Sequence, residues 1–382
     1  MKNKVGVWFI GASGAVATSA VVGWLALQNR LSSSVGLVSA LPAFCGLDFL
    51  PYESFVLGGC DLVSPSFEGM MRQIYPEVGR EFLEKLRPQL RAIEGRVQRF
   101  SSDLSRREEV EWIMRGLGNF QAQHCLDSVI VVNLASTMPN PPFLRELRTL
   151  EDLEGAIDEN RPIPSSVLYC YGAFQFRFPY VNFTPSPDWE VGAIQDLAMR
   201  KKVVYAGQDG KTGETLLKSA LAPLFAARNL SVLSWVGYNI LGNRDGENLQ
   251  HPSHRQAKVE SKSSAIRSIL GENTHTLVGI DYVPSLGDRK TAWDFVHFQG
   301  FLGAKMSLQF IWQGLDSLLA APLVIDLIRF SELAYRQGIV GPLSHLASFF
   351  KSPVGCQTHH FYEQFQLLEE YARRYLKDGV GE

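Results

Sequence analysis

The sequence predicts an α/β protein built on a parallel sheet covered by helices on both faces. An apolar run, Val5 to Ile10 (VGVWFI), is followed at once by a glycine turn and then by a helical apolar pattern reaching Leu27. Short runs of the same kind recur at Phe55 to Asp61, Ser128 to Leu134, Val167 to Ala173 and Val203 to Ala206. Strands this continuously apolar belong to sheets buried on both sides. The first of these further runs closes on Asp61 and the second runs into Ala135-Ser136-Thr137, at the carboxyl ends where open α/β sheets bind ligands.

In the first unit the turn reads Gly11-Ala12-Ser13-Gly14-Ala15-Val16-Ala17. Gly11 permits the tight turn, Gly14 lets backbone N–H groups approach a pyrophosphate, and Ala17 keeps helix and strand close; this is the dinucleotide-binding arrangement. The pattern is G-x-x-G-x-x-A rather than G-x-G-x-x-G, so an ordinary βα turn is the competing reading. Asp61 can accept from a ribose hydroxyl, although it lies well beyond the usual ~20-residue interval. Ala135, Ser136, Thr137 and Asn182 are further candidates on the cofactor side. Asn182 opens Asn182-Phe-Thr-Pro-Ser-Pro187, a proline-held polar loop that composition alone does not distinguish from a plain connection.

The remaining elements follow from periodicity. Glu68 to Arg115 is helical in period, with Arg/Glu pairs three and four apart that mark solvated helix faces. Leu277 to Val283 reads as a strand, Lys305 to Trp312 alternates, Leu315 to Leu333 is a buried helix, and Phe361 to Lys377 is a charged amphipathic helix.

A chain of 382 residues is longer than single cores usually grow, so two domains are expected. Apolar residues at 46% suffice for substantial cores, and a formal charge of −2 gives no electrostatic reason to expect nucleic acid or an anionic membrane as partner. A small molecule is the expected ligand. The five cysteines (Cys45, Cys60, Cys125, Cys170, Cys356) are scattered, without zinc or disulfide spacing, as in a reduced cytoplasmic protein. Met1 to Leu27, with Ala15-Val-Ala17, has the outline of a signal peptide, but its uninterrupted apolar run stops at Gly11, so a strand and a cytoplasmic location are expected. No other run approaches the ~20 apolar residues that span a bilayer.

Chemistry-bearing residues are densest between Val203 and Ile266. That stretch holds Gly207-Gln-Asp-Gly-Lys-Thr-Gly-Glu-Thr215, Leu241-Gly-Asn-Arg-Asp-Gly246, and Lys258 and Lys262 at i,i+4. An i,i+4 lysine pair is more often a solvated face, and Asp245 in Asn-Arg-Asp-Gly would by itself be a turn residue.

Taken together, GQDGKTGET, YNILGNRDGENL, K-x-x-x-K followed by SSAI, YVPSLGDRK and LDSLLAAP, in this order, resemble the inositol-3-phosphate synthase (myo-inositol-1-phosphate synthase) family. There the segments run roughly GDDxKSGQT, YNHLGNNDGxNL, SKExSKS, GDSKxA and EDSLLAxP. The glycine turn, Gly58-Gly-Cys-Asp61 and VNFTPS also match, so the resemblance spans nearly the whole chain. It implies a Rossmann-type NAD-binding domain, residues 1–210 plus 318–382, with an inserted α+β catalytic and tetramerisation domain, residues 211–317, in a homotetramer.

The resemblance also implies conversion of glucose 6-phosphate to 1D-myo-inositol 3-phosphate by oxidation at C5, enolisation, intramolecular aldol closure and reduction, with NAD and a divalent or monovalent cation as cofactors. Such chemistry needs cations beside developing oxyanions, hydrogen-bond donors for the phosphate and proton relays. Carried over, Lys258 and Lys351 serve the C5 and C1 oxygens, while Lys262 and Lys290 neutralise phosphate and enolate charge. Asp209, Asp245, Asp288 and Asp316 match the family's acids, Asp209 also on the cofactor side. Thr212, Gly213, Asn239 and Leu241 match substrate-binding positions.

The chain departs from the pattern at Gln208, at Leu315, at Phe310-Ile-Trp-Gln313 in place of a His-Asn segment, and at Arg255-Gln-Ala257. These changes are expected to remove polar groups from the site. They keep open a paralogue that closes another sugar phosphate, such as fructose 6-phosphate, to a five-membered carbocycle, and, from another class, a non-catalytic NAD-binding protein.

Overall fold

The computed structural model describes residues 3–243, 246, 269–271 and 274–376. The chain opens with β1 (Val5–Ile10), α1 (Ala15–Gln28), β2 (Phe55–Asp61), α2 (Phe67–Ile74), α3 (Arg80–Glu94) and β3 (Val97–Arg99). It then crosses the sheet through α4 (Arg106–His124) to β4 (Ser128–Asn133), and continues with α5 (Leu150–Asp158), α6 (Ser165–Gln175), β5 (Tyr180–Asn182), α7 (Gly192–Lys201) and β6 (Val204–Gly207). Next come α8 (Glu214–Ala227) and four strands, β7 (Ser231–Leu241), β8 (His275–Tyr282), β9 (Arg289–Gln299) and β10 (Lys305–Leu315). The chain returns through α9 (Asp316–Arg336) to a short β11 (Gly341–Pro342) and ends its described part in α10 (Phe361–Tyr375).

Two sheets result. The first has seven parallel strands in the order β11-β6-β5-β4-β1-β2-β3. The strand order reverses direction between β1 and β4, the crevice where sheets of this topology receive ligands. Alternation along β1 shows why its sequence is apolar throughout: Val5, Val7 and Phe9 enter a core shared with α1, α3 and α9, while Trp8 and Ile10 enter another shared with α4 and α6. Among the described residues no helix is long and apolar enough to cross a membrane.

The second sheet is mixed, in the order β10-β9-β7-β8, with β7 parallel to β8 and antiparallel to β9. One face is covered: Trp235, Asn239 and Leu241 of β7, Ala292, Asp294 and Val296 of β9 are buried, and Glu214 and Lys218 of α8 lie against Gly237. On the other face Tyr238, Trp293 and Ile311, a single cross-strand row, are 44%, 37% and 65% exposed.

One expected strand is a helix. Val167 to Ala173 lies inside α6, and the strand falls later, at Tyr180–Asn182. A short apolar run cannot be told from a helix buried on all sides by periodicity alone, and α6 is such a helix, enclosed from Ser166 to Phe174. Asn182 is therefore the last residue of a strand as well as the start of the proline-held loop. The run Glu68 to Arg115 is helical in α2, α3 and most of α4, with β3 and turns between them, and its pairs are surface ones except Arg106–Glu109, whose carboxylate is buried: Glu68 joins Arg87 at 2.9 Å and Arg72 at 3.1 Å, and these two guanidinium groups pull its carboxyl down to about 2.

Candidate active site

The glycine turn sits at the β1/β4 crevice. Gly11 has φ +79°, which favours glycine, and a Cβ there would lie 2.9 Å from the backbone of Ala135 just beyond β4. The N–H groups of Gly11 and Ala12 are held by Cys60 O at 3.0 and 3.1 Å. Gly14 caps α1 with no side chain over the helix N-terminus, leaving its amide end clear for an anion. Asp61 ends β2 beside this turn: one carboxylate oxygen accepts from Ser13 N at 2.8 Å and the other from Val63 N at 3.3 Å. Spatial adjacency thus replaces the missing sequence interval. The turn, the clear helix end and the strand-end acid fit a dinucleotide.

From Ala135 a chain of polar contacts runs along the carboxyl ends of the strands. Ala135 N donates to Asn133 Oδ1 at 3.1 Å, and Asn133 Nδ2 reaches Thr184 Oγ1 at 3.5 Å. Asn182 is wholly buried, its oxygen accepting from Thr184 N and Oγ1 and its amide donating to Ser186 O. It shapes the loop over the crevice. Ser136 and Thr137 lie exposed beyond Ala135. Thr184 O then accepts from Asp209 N at 3.0 Å.

Asp209 meets Lys351 there, Nζ to Oδ1 at 2.7 Å, and Lys351 N also donates to Asp209 O at 2.7 Å. The loop after β6 and the segment after Phe349 are zipped together by Gln208 N to Ser352 O (3.0 Å), Ser352 N to Gln208 O (3.2 Å) and Lys211 N to Phe349 O (2.8 Å). Lys211 is buried, its Nζ donating to Gln364 Oε1 of α10 at 2.5 Å; burial, with repulsion from Lys351, pushes its ammonium down to about 8.

The covered face of the second sheet adds the remaining groups in register. Lys290 pairs with Gly314 and Leu241, and its Nζ lies 3.5 Å from Asp316 at the start of α9. Asp288 caps that helix, accepting from Ser317 N at 3.0 Å and Ser317 Oγ at 2.7 Å; burial raises its carboxyl. One row along stand Trp312, Ala292 and Asn239. Gly213, the N-cap of α8 next to Thr212, has no side-chain cap, and a Cβ on it would lie 3.0 Å from Trp312 Nε1. Leu241 packs its side chain with Val278 and Ile280. Beneath Gly237, Lys218 bonds Glu214 and lies 3.3 Å from Asp294, which also accepts from Trp235 Nε1 at 2.7 Å; desolvation raises Asp294.

Of the lysine and aspartate candidates, the geometry places Lys351 with Asp209 and Lys290 with Asp316 and Asp288. Lys258, Lys262 and Asp245 lie outside the described residues. Sequence reading passed over Lys211, Glu214, Lys218 and Asp294; the first three sit in or just after the GQDGKTGET motif, whereas Asp294 carries no local signal. No group of three or more His, Cys, Asp or Glu side chains that could hold a metal is found among the described residues.

The sheet order, the glycine turn at its switch point and the lysine–carboxylate groups define the class of a Rossmann-type α/β protein with a second, mixed sheet. A model of the myo-inositol-1-phosphate synthase family matches residues 213–317. Inositol-3-phosphate synthase 1 of Bacteroides thetaiotaomicron is 31% identical over 420 residues, covering 100% of this chain and 96% of that protein. The match to Populus euphratica inositol-3-phosphate synthase 1, 31% identical, covers 62% of this chain and 48% of that one, so the chain aligns with about half the length of such plant relatives. The inositol-3-phosphate synthase structure from Caenorhabditis elegans superposes with a TM-score of 0.84 at 25% identity, over 99% of this chain and 87% of that one. A myo-inositol-1-phosphate synthase-related protein of Thermotoga maritima shares the fold, with a TM-score of 0.80 at 21% identity over 98% and 100% of the two chains. The chain belongs to the myo-inositol-1-phosphate synthase family.

Proposed function

We propose that the chain is an NAD-dependent sugar-phosphate cyclase that converts glucose 6-phosphate to 1D-myo-inositol 3-phosphate. The observation that carries this reading is the Lys351–Asp209 pair at 2.7 Å, joined through Thr184, Asn133 and Ala135 to the glycine turn. An ammonium that can donate a proton to a developing alkoxide, with a carboxylate to hold it in place, thus stands on the same crevice as the dinucleotide turn. Bound NAD supplies reversible oxidation and reduction at one carbinol carbon, with no net redox change over the cycle.

The chain's own residues do the rest. Lys351, its ammonium held by Asp209, donates a proton to the C1 alkoxide that ring closure forms, while Lys258 serves the C5 hydroxyl that is oxidised and later restored. Lys290, held by Asp316 at the capped start of α9, places positive charge where an enolate or phosphate oxygen gathers charge. The uncapped start of α8 at Thr212-Gly213 offers backbone N–H groups to the phosphate. Lys258, Lys262 and Asp245 complete the set by carry-over from the family pattern. In this reading residues 1–210 and 318–382 form the cofactor domain and 211–317 the catalytic one. The apolar row Tyr238, Trp293 and Ile311 forms the homotetramer contact.

The test is direct: purified protein is given NAD and either glucose 6-phosphate or fructose 6-phosphate, and phosphorylated products are identified by NMR. Inositol phosphate from glucose 6-phosphate is expected. A five-membered carbocycle from fructose 6-phosphate alone would replace this reading with that of the paralogue, and no carbocycle from either would end the enzymatic reading. Lys351→Ala is expected to lower turnover about 10²–10⁴-fold, the usual worth of a positioned proton-transfer group.

A further inference from the structure

The row Trp312–Ala292–Asn239 carries polar atoms that the protein leaves unsatisfied. Asn239 is 0% exposed, yet neither Oδ1 nor Nδ2 has a partner among the described residues. The same holds for the enclosed Nε1 of Trp312. Buried polar groups are nearly always paired, so three unmet polar atoms on one row ask what completes them. Direct cross-strand partners point to one face, and Trp312 Nε1 lies against Gly213, the uncapped N-terminus of α8.

An indole N–H can only donate, so only an acceptor satisfies it. At the positive end of a helix the favoured acceptor is anionic. The family pattern has a His-Asn segment where this chain reads Phe310-Ile-Trp-Gln, a change expected from sequence to strip polarity from the site. The structure shows instead that a donor remains, on a larger and more rigid ring.

We propose that Trp312 is a specificity-determining residue of this chain: its indole N–H donates to a phosphate oxygen of the substrate seated at the start of α8, and its ring walls that side of the pocket. This rests on the cyclase reading for the identity of the substrate, but its core, a phosphate monoester against Trp312, is tested by binding alone.

Calorimetric titration of the full chain with inorganic phosphate and glucose 6-phosphate, repeated with Trp312→Phe and Trp312→His, decides it. Phe keeps the ring and loses the N–H; His returns a ring N–H. Expected are about tenfold weaker binding of both ligands by Trp312→Phe, a smaller loss in Trp312→His, a KM for glucose 6-phosphate that rises more than kcat falls, and unchanged melting temperatures. Equal affinity in wild type and Trp312→Phe overturns the proposal, as does equal loss in both variants, which would mean ring packing only. Labelling the wild-type chain with fluorotryptophan needs no altered side chain: one 19F signal should move with phosphate, and none moving overturns the proposal. Phosphate binding that depends on Trp312 without any carbocyclic product would sink the cyclase reading and leave this one. Product formation indifferent to Trp312→Phe would do the reverse.

Discussion

At the scale of the residue, Lys211 shows how the fold tunes a group that sequence reading treats as one letter of a motif. Its ammonium is enclosed against Gln364 and the ring of Phe361, and burial holds it near 8 rather than at 10.5. Between about pH 8 and 10.5 the unfolded chain keeps a proton there that the native chain has lost, so this group makes stability rise with pH across that window. Below it the native state bears the full cost of a buried charge. Lys211→Met should remove that slope: the stability of wild type relative to the variant, from urea unfolding, should grow by roughly 2–4 kcal/mol from pH 7.5 to 10.5. A constant difference would show that the ammonium is not held in the environment described. Asp294 illustrates the opposite limit of reading from sequence. A carboxylate at a core position of β9 breaks the apolar alternation that would have announced a strand, and only Trp235 and Lys218, distant in sequence, make it tolerable there.

At the scale of the element, the legible parts were those whose signal is local. The strand–turn–helix at Val5–Gln28 is written in a continuous apolar run and two glycines, and Gly11 proves to need its left-handed backbone and its missing side chain. Gly11→Ala should therefore cost about 1–3 kcal/mol of stability in chemical denaturation and weaken NAD binding in the same preparation. Retention of both would mean the turn can shift away from Ala135. The misread element, α6, failed for the converse reason: it is apolar on every side because both neighbouring layers bury it, and residue type alone does not report which neighbours will exist. The candidate site was legible as motifs, since GQDGKTGET, GDRK and LDS each mark a loop or cap. Their pairing, Lys351 with Asp209 and Lys290 with Asp316, is a product of topology.

At the scale of the whole molecule, the second sheet leaves a row of Tyr238, Trp293 and Ile311 uncovered, an apolar surface of the kind that marks an interface. If this row is the tetramer contact proposed above, Trp293→Glu with Ile311→Glu should lower the mass seen in sedimentation from a tetramer to a smaller species; an unchanged mass would place the contact elsewhere. The zipper between the loop at Gln208 and the segment at Ser352 has a different reach. Asp209 and Lys351 stand 142 residues apart in the chain, so on a growing polypeptide this ion pair cannot form until residue 351 has been made. Under the function proposed above, a nascent chain that still lacks the segment at Ser352 is expected to be inactive, a dormancy set simply by the order in which the residues are made.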